Sequence, residues 1–271
     1  MAKESEVFSG LENYSKTKKT LELMKRYGVL FDLDGVKVAS SYGAVKIYNL
    51  KWGMRFGLVK SVEEHVSYYA MTGWLKTIKG NNDGLIDDPL KEASDIWNDE
   101  ENLKNSPTEL GILPLMRLMY DYGIDPHDAT SRPKSTKEAT EYWIRKKFAM
   151  FGDLTGNLHF QEGMLPNMMH KAEVIKELKI PFIFEDHGEH AEKEAEAGAI
   201  VGLVLKPWSR NYIPKSELIV KPTKYQGRDE IIRTFLSVCD FVDGNPGLVV
   251  KVIDDLVEHR SHNIDIELVE V

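Results

Sequence analysis

The chain has one cysteine, no long apolar run and no surplus of positive charge. Its 271 residues include one cysteine, Cys239, so an internal disulfide is excluded and a reducing compartment is expected. No apolar run approaches the roughly 18 residues that a helix needs to cross a bilayer, so we expect no membrane partner. A formal net charge of -8 argues against a polymeric nucleic-acid partner, because a phosphate backbone requires a basic surface.

Several common signatures are also missing. The sequence has no Gly-x-Gly-x-x-Gly motif, no phosphate-binding Walker loop, no Cys-x-x-Cys and no internal repeat. Residues 1–8 lack the apolar core of a signal peptide, which favours a cytoplasmic protein. The length suits one α/β domain with a sizeable insertion, or two small domains.

The stretch at residues 27–36 organises the chain. It reads Tyr-Gly-Val-Leu-Phe-Asp-Leu-Asp-Gly-Val, a short apolar run between glycines that is typical of a buried strand. Asp32 and Asp34 follow on the same side of the extended backbone, with Leu33 on the other. Two close carboxylates repel each other unless a cation is bound, and Mg²⁺ takes oxygen ligands of this kind. The pattern predicts a magnesium site, although a plain acidic turn after a strand also fits it.

A second strand ends in acids further along the chain. Residues 180–184 are apolar and lead into Glu185-Asp186, and a helix at 170–178 that contains Lys171 precedes them. An Ala/Glu-rich helix follows and ends near Gly198, before a third apolar strand at 200–205. Strand, helix and strand at this spacing predict the βαβ unit of a parallel sheet, whose strand exits open onto a ligand site.

A third signal lies between these two. In Ala129-Thr130-Ser131-Arg132-Pro133, a hydroxyl at a strand exit could donate to a phosphate oxygen, and we favour Thr130 over Ser131 for this contact. The preceding residues include Pro126 and several polar side chains, which argue against a central strand. We therefore expect either a very short strand there or a degraded motif.

Taken in order, these segments resemble the haloacid dehalogenase-like superfamily, and the Asp-x-Asp-Gly-Val form resembles its phosphatases. Residues 95–123 and 171–211 resemble the 5′(3′)-deoxyribonucleotidase branch. The resemblance implies an α/β fold, a Rossmann-like parallel sheet with helices on both faces, plus a helical cap inserted after the first strand. The core would comprise 27–35 and 111–223, the cap 36–110, and two extensions 1–26 and 224–271.

The resemblance also implies roles for individual residues. Asp32 would be the nucleophile and Asp34 the general acid/base, while Lys171 would balance the charge of the phosphoryl group. Asp32, Asp186 and the backbone of Asp34 would hold Mg²⁺, and Glu185 would hold Lys171 or a metal-bound water. Aromatic side chains of the cap could stack on a nucleobase, although we expect most of them to pack in its core.

These expectations define a magnesium-dependent phosphomonoesterase that acts through an aspartyl-phosphate, most readily on nucleoside 5′-monophosphates of the ribo or deoxy series. One alternative is a sugar-phosphate phosphatase or phosphomutase on the same fold. Another is a binding or regulatory protein of this fold that lacks turnover. The expected partner is a small phosphorylated substrate. The sequence does not decide whether the protein also forms a homodimer.

Overall fold

The computed structural model describes residues 15–64, 68–81, 85–162, 167, 169–226 and 229–257. The alternating pattern of residues 264–271 predicts a strand or a tail, and this segment lies outside the described residues. The described chain is built on one six-stranded sheet. Its strands are β1 (Leu30–Asp32), β2 (His127–Pro133), β3 (Leu158–Gln161), β4 (Phe182–Glu185), β5 (Ile200–Leu203) and β6 (Ile219–Val220).

All neighbouring strands are parallel, in the order β3-β2-β1-β4-β5-β6. The principal helices are α1 (Ser15–Tyr27), α2 (Ser40–Tyr48), α3 (Tyr68–Asn81), α4 (Pro89–Trp97), α5 (Glu100–Asn105), α6 (Ile112–Asp121), α7 (Lys137–Phe148), α8 (His170–Leu178), α9 (Gly188–Glu196), α10 (Glu230–Gly244) and α11 (Pro246–Val257). The predicted fold class, a parallel α/β sheet flanked by helices, is confirmed.

The two faces of the sheet bury different side chains because neighbouring strand residues point in opposite directions. Phe31 of β1 and Phe184 of β4 stack at 5.0 Å and belong to a core that includes residues of α1, α6, α7, α10 and α11. Leu30 and Ile183 face the other way, against α8 and α9. The sheet is therefore the middle layer of three, and its central strand β1 is buried on both sides.

The segment between β1 and α6 is largely helical and has an apolar cluster of its own. Tyr48 and Trp52 are buried there, together with Met71, Leu75, Ile78 and Ile96. A π-helical stretch at Asn49–Gly53 and a helical turn at Met54–Phe56 extend α2. Most of the aromatic side chains described in this segment thus pack inward, whereas Tyr42 is exposed. The inserted segment contributes helices, but no strand of the sheet among its described residues.

Strand β2 differs from the expectation. It spans seven residues and pairs with both β1 and β3, with a register shift between Thr130 and Pro133, so the polar residues do lie in a central strand, which the sequence argued against. The polar side chains are accommodated because most of them have a partner. Asp128 lies 2.6 Å from the buried ammonium of Lys37, and His127 stacks on His159 of β3. Burying a polar group costs much less free energy when the group has a hydrogen-bond or ion-pair partner than when it has none.

The C-terminal helices α10 and α11 pack against the sheet. Phe235, Val238 and Val252 are buried in the same core as Phe31. The sequence pattern predicts a helix at 228–238 and another at 248–257, and both are present, with α10 continuing six residues further, to Gly244. Within the described residues, no helix combines the length and the apolar character needed to cross a bilayer.

Candidate active site

The first acidic residue stands at the carboxyl edge of the sheet. Asp32 is the last residue of β1 and is buried. The chain then turns back through Gly35, whose N–H donates to the carbonyl of Val38 at 2.8 Å. Gly35 has a φ of 78°, and a Cβ there would lie 1.8 Å from Oδ2 of Asp186. Glycine is required at this position, because any side chain would push Asp186 away from the turn.

Lysine 171 enters this edge from the first turn of α8. Its Nζ lies 3.0 Å from Oδ1 of Asp32 and also forms an ion pair with Oε2 of Glu185. The other oxygen of Glu185 accepts the backbone N–H groups of Asp186 and His187, at 3.0 and 2.9 Å. Glu185 is thus held on both oxygens, and it holds Lys171 against Asp32.

Three buried carboxylates converge at this point. Oxygen atoms of Asp32, Glu185 and Asp186 lie within 4.8 Å of one another. The indole N–H of Trp208 donates to Oδ2 of Asp186 at 3.1 Å. With all three acids ionised, one ammonium group leaves the cluster with an excess negative charge of two, which a divalent cation would neutralise. An all-oxygen donor set is the kind that Mg²⁺ prefers.

The electrostatics of the cluster support the same conclusion. Burial, together with the charge of Glu185, raises the pKa of Asp32 well above its usual range, although Lys171 opposes this. Burial and the charges of Asp32 and Glu185 raise the pKa of Asp186 as well. The pKa of Glu185 moves the other way: burial would raise it, but the ammonium of Lys171 lowers it well below its usual range. Asp32 and Asp186 are therefore the two carboxyl groups whose surroundings hold too little positive charge to stabilise the ionised form.

A further layer of titratable groups lies behind Glu185. Burial, followed by the charge of Lys171, lowers the pKa of His190 to about 4, so this imidazole is neutral at pH 7. Burial and the charge of Glu185 raise the pKa of Glu194 well above its ordinary value. The layer therefore adds no positive charge that could replace a cation at the carboxylates.

The second aspartate of the motif is arranged differently. Asp34 is half-buried, and its carboxylate accepts two hydrogen bonds from the guanidinium of Arg132, from Nε at 2.9 Å and from Nη2 at 2.7 Å. Nη1 of Arg132 donates to the buried hydroxyl of Thr140 at 3.0 Å. A bidentate arginine fixes both the position and the orientation of a carboxylate. The Asp34 side chain is not part of the three-carboxylate cluster.

The hydroxyl groups predicted at this edge have separate environments. Thr130 is fully buried, and its Oγ1 donates to Oδ2 of Asp34 at 3.3 Å and accepts the N–H of Arg132 at 3.2 Å. Oγ of Ser131 is buried as well, and it has no hydrogen-bond partner among the described residues. Thr130 therefore contacts Asp34, the expected acid/base, whereas Ser131 forms no side-chain hydrogen bond to Asp34.

The structure thus brings together Asp32, Lys171, Glu185 and Asp186, and it places Asp34 and Thr130 beside them. Arg132 was not identified from the sequence as a site residue, although it stands next to the two hydroxyl residues that were. The signal was its position: an arginine directly after a strand-exit hydroxyl and before Pro133 lies at the ligand edge of the sheet. Trp208 lies within 171–211, the range that carries the resemblance, and it contacts Asp186 directly.

Comparison with known proteins adds little to this geometry. No protein-family model and no curated protein matches the chain. Among solved structures, the chain is similar to a protein described as a haloacid dehalogenase-like hydrolase from Bacteroides fragilis, with a TM-score of 0.46 and 18% identity over 64% of this chain and 84% of that one.

It is also similar to a HAD family hydrolase from Deinococcus radiodurans R1 with bound phosphate and sodium, with a TM-score of 0.46 and 20% identity over 64% of this chain and 78% of that one. A protein described as a beta-phosphoglucomutase from Thermotoga maritima gives a TM-score of 0.43 and 18% identity over 78% and 98% of the two chains. These similarities by themselves establish neither the family nor the activity.

Proposed function

We propose that this protein is a magnesium-dependent phosphomonoesterase of the haloacid dehalogenase-like superfamily. The observation that carries the proposal is the convergence of Asp32, Lys171 and Asp186 at the carboxyl edge of a parallel sheet, where α/β proteins bind their ligands. A buried carboxylate beside a fixed ammonium and a carboxylate cluster suits attack on a phosphorus atom. The motif order along the chain, described above, supports the same class.

In the first step, a carboxylate oxygen of Asp32 attacks phosphorus and the ester bond to the leaving group breaks. Asp34 gives its proton to the departing alkoxide. In the second step, Asp34 takes a proton from water as the water oxygen attacks phosphorus. The bond between phosphorus and Asp32 then breaks, which releases inorganic phosphate and restores the free carboxylate.

The hydrogen bonds of Asp34 bear on both steps. Oδ2 of Asp34 accepts from Arg132 and Thr130, whereas Oδ1 accepts only from Arg132, so Oδ1 keeps a lone pair that can take the transferred proton while the side chain stays in place. Thr130 and Arg132 would keep Oδ2 oriented while Oδ1 gives or takes the proton. Arg132 is thus a positioning residue in this mechanism.

The residues that would hold Mg²⁺ are Asp32, Asp186 and the backbone of Asp34. When bound, the ion neutralises charge on the phosphoryl oxygens and favours the attacking carboxylate in its ionised form. Lys171 neutralises charge on the same group from the α8 side. Glu185 already accepts from Lys171 and from two backbone N–H groups, which favours a role in fixing Lys171 over direct coordination.

The domain division follows from this proposal. Residues 27–35 and 111–223 would form the catalytic core, and residues 36–110 a cap that closes over the site. The separate apolar cluster of the inserted helices supports a cap that packs as its own unit. Substrate selection would then depend on side chains that the cap presents to the core.

The proposed substrate is a nucleoside 5′-monophosphate, and the test is a panel of phosphomonoesters assayed for phosphate release with and without Mg²⁺. We expect release that requires the ion and favours nucleotides. Release confined to sugar phosphates, or phosphate transfer to a second sugar hydroxyl, would instead indicate the alternative enzymes of this fold. No release from any substrate would contradict the phosphatase and leave a binding protein.

A further inference from the structure

We propose that a cleft beside the three-carboxylate cluster binds the ring of the substrate's leaving group, and that the C-terminal extension forms one of its walls. The inference rests on the proposed function and assigns the cleft a part in it. The cleft has a volume of about 370 Å³, within the range of small-molecule sites. It is lined by the turn after β1, the start of α2, residues 62–63, residues 107–110 before α6, the loop after β5 and the segment that leads into α10.

The cleft adjoins the candidate active site through shared residues. Trp208 lines it and also donates its indole N–H to Asp186. Lys206 lines it too, and its positive charge acts on the carboxyl of Asp186. Val36 lies two residues after Asp34, the proposed donor of a proton to the leaving group. Trp208 and Lys206 thus connect the cleft with Asp186, and we place the leaving group of a phosphate at Asp32 in this space.

Aromatic side chains form the walls of the cleft. Tyr42 at the start of α2 is exposed, and Tyr225 lies before α10 with part of its ring buried. Both tyrosines line the same cleft, and burial, followed by the charge of Glu230, raises the pKa of Tyr225. Val36, Leu205 and Ile231 line the cleft but are almost fully buried, whereas Leu110 adds exposed apolar surface. Such walls fit a flat ring, because every base offers a face that stacks on an aromatic side chain.

The charges that line the cleft restrict the ligand further. Glu63, Glu109, Asp229 and Glu230 contribute four carboxylates, whereas Lys206 is the one cation among the described lining residues and is paired with Glu109 at 2.7 Å. A second phosphate would meet a surplus of like charge there. A neutral ring that carries hydrogen-bond donors suits this lining, which is the chemistry of a nucleobase rather than of a bisphosphorylated sugar.

The first test compares two substrates that differ only in the presence of the base. Ribose 5-phosphate has the same phosphoester as a ribonucleoside 5′-monophosphate but lacks the base. We expect the best of the four common ribonucleotides to exceed ribose 5-phosphate in kcat/KM by about tenfold or more, mainly through KM. A nucleoside 3′,5′-bisphosphate should be poorer than the corresponding monophosphate. Equal or better turnover of ribose 5-phosphate would overturn the inference.

The second test removes the walls. Tyr42→Ala and Tyr225→Ala should each reduce kcat/KM for the nucleotide by about fivefold or more and reduce kcat/KM for ribose 5-phosphate much less. Tyr225→Phe should retain nucleotide turnover, because the stacking face remains. Tyr142→Ala, at an exposed tyrosine of α7 outside the cleft, is the matched control. An equal loss on both substrates in the wall variants would contradict a ring-binding role.

Binding separates failure of the inference from failure of the proposed function. Calorimetric titration of the Asp32→Asn variant, with Mg²⁺ present, should give tighter binding of the nucleotide than of ribose 5-phosphate, and Tyr42→Ala in that background should remove the difference. If the unmodified protein turns over no phosphomonoester, the proposed function fails, and this contrast still decides whether the cleft binds a ring. Equal affinity for the two ligands would overturn the inference even in an active phosphatase.

Discussion

Strands β2 and β4 flank β1 on opposite sides and bring functional groups to the same edge by different means. Every residue of β4, from Phe182 to Glu185, is buried, and its first three side chains are apolar. Strand β2 is also central but largely polar. Asp128 forms an ion pair with Lys37, whose Nζ lies 4.8 Å from the centre of the Phe31 ring. Burial in a central strand therefore requires partners for polar groups, and an apolar sequence is only one way to meet that requirement.

The two flanks also differ in charge. On the β4 side, Asp32, Glu185 and Asp186 share one ammonium, so this half of the site needs a cation. On the β2 side, the guanidinium of Arg132 already neutralises Asp34. The proposed nucleophile is thus placed where a metal would bind, and the proposed acid/base is placed where a metal is unnecessary. The following experiments change one flank at a time.

The largest effect is expected at Asp32, the last residue of β1, which lies between β2 and β4. Asp32→Asn removes the nucleophile and should reduce phosphate release on the order of 1,000-fold or more. The fold should persist, since the amide has the same shape, and circular dichroism checks this. Asp125→Asn, an exposed residue before β2, is the control and should keep normal turnover. Normal phosphate release by Asp32→Asn would remove the proposed mechanism.

Lys171→Met tests the β4 flank. Asp32 and Glu185 would lose their shared cation, so turnover should fall sharply and the free energy of unfolding should decrease by about 3–5 kcal/mol. Urea unfolding measures the stability, and added Mg²⁺ should restore part of it. Lys176→Met, on the exposed face of the same helix, should change neither quantity appreciably. A stable, active Lys171→Met protein would show that the carboxylates do not depend on this ammonium.

Arg132→Gln tests the β2 flank through the leaving group. An alkyl phosphate needs a proton at its departing oxygen, whereas p-nitrophenolate leaves readily without one. If Arg132 positions Asp34, kcat for an alkyl phosphate should fall by about 100-fold and kcat for p-nitrophenyl phosphate by much less. Arg132→Lys should restore only part of the loss, and Arg145→Gln, an exposed residue of α7, serves as the control. Equal losses on both substrates would assign Arg132 a role other than positioning the acid.

The buried ion pair of β2 should matter for stability more than for turnover. Asp128→Asn leaves Lys37 charged and buried without a counterion, which should decrease the free energy of unfolding by about 3 kcal/mol. Adding Lys37→Met should recover a large part of that loss, because the unpaired charge is then removed as well. Chemical unfolding of the two single variants and the double variant measures the coupling. Strictly additive losses would mean that the pair is not coupled.

The smallest effect concerns pH and the imidazoles beside β2. Burial lowers the pKa of His127 and of His159 below 6.5, so each imidazole binds a proton more readily in the unfolded chain. Their stabilisation is complete above pH 6.5 and is lost as the pH falls through 6.5 toward the lowered values. Buried acids such as Asp32 and Asp186 have raised pKa values and act in the opposite direction. The comparison must therefore be made between variants.

His159→Gln should retain more of its pH 7.5 stability at pH 5.5 than the unmodified protein does, as measured by thermal unfolding at the two values. An identical pH dependence in both proteins would show that this imidazole is not held in its neutral form. The same change should not alter the metal requirement of turnover, because the histidine lies on β3, beyond β2.

Much of the site was predictable because its signals are local. An apolar run between glycines followed by Asp32, and another followed by Glu185-Asp186, identify strand exits without knowledge of their neighbours. The polar lead-in to Thr130 misled the prediction for a physical reason. The side chains that pair with the polar residues of β2 are Lys37 and His159. Both are distant from β2 in the sequence, and no local pattern predicts such a partner.

By itself, the amino-acid sequence determined the parallel sheet, the order of its motifs and the three acids at its edge, since strand periodicity and glycine turns act over a few residues. Only the tertiary structure decided that Asp34 faces Arg132 across 98 residues of chain, that Glu185 holds Lys171 against Asp32, and that Tyr225 closes a cleft with Tyr42. Charge pairing and stacking depend on distances in space, which the folding of distant segments sets.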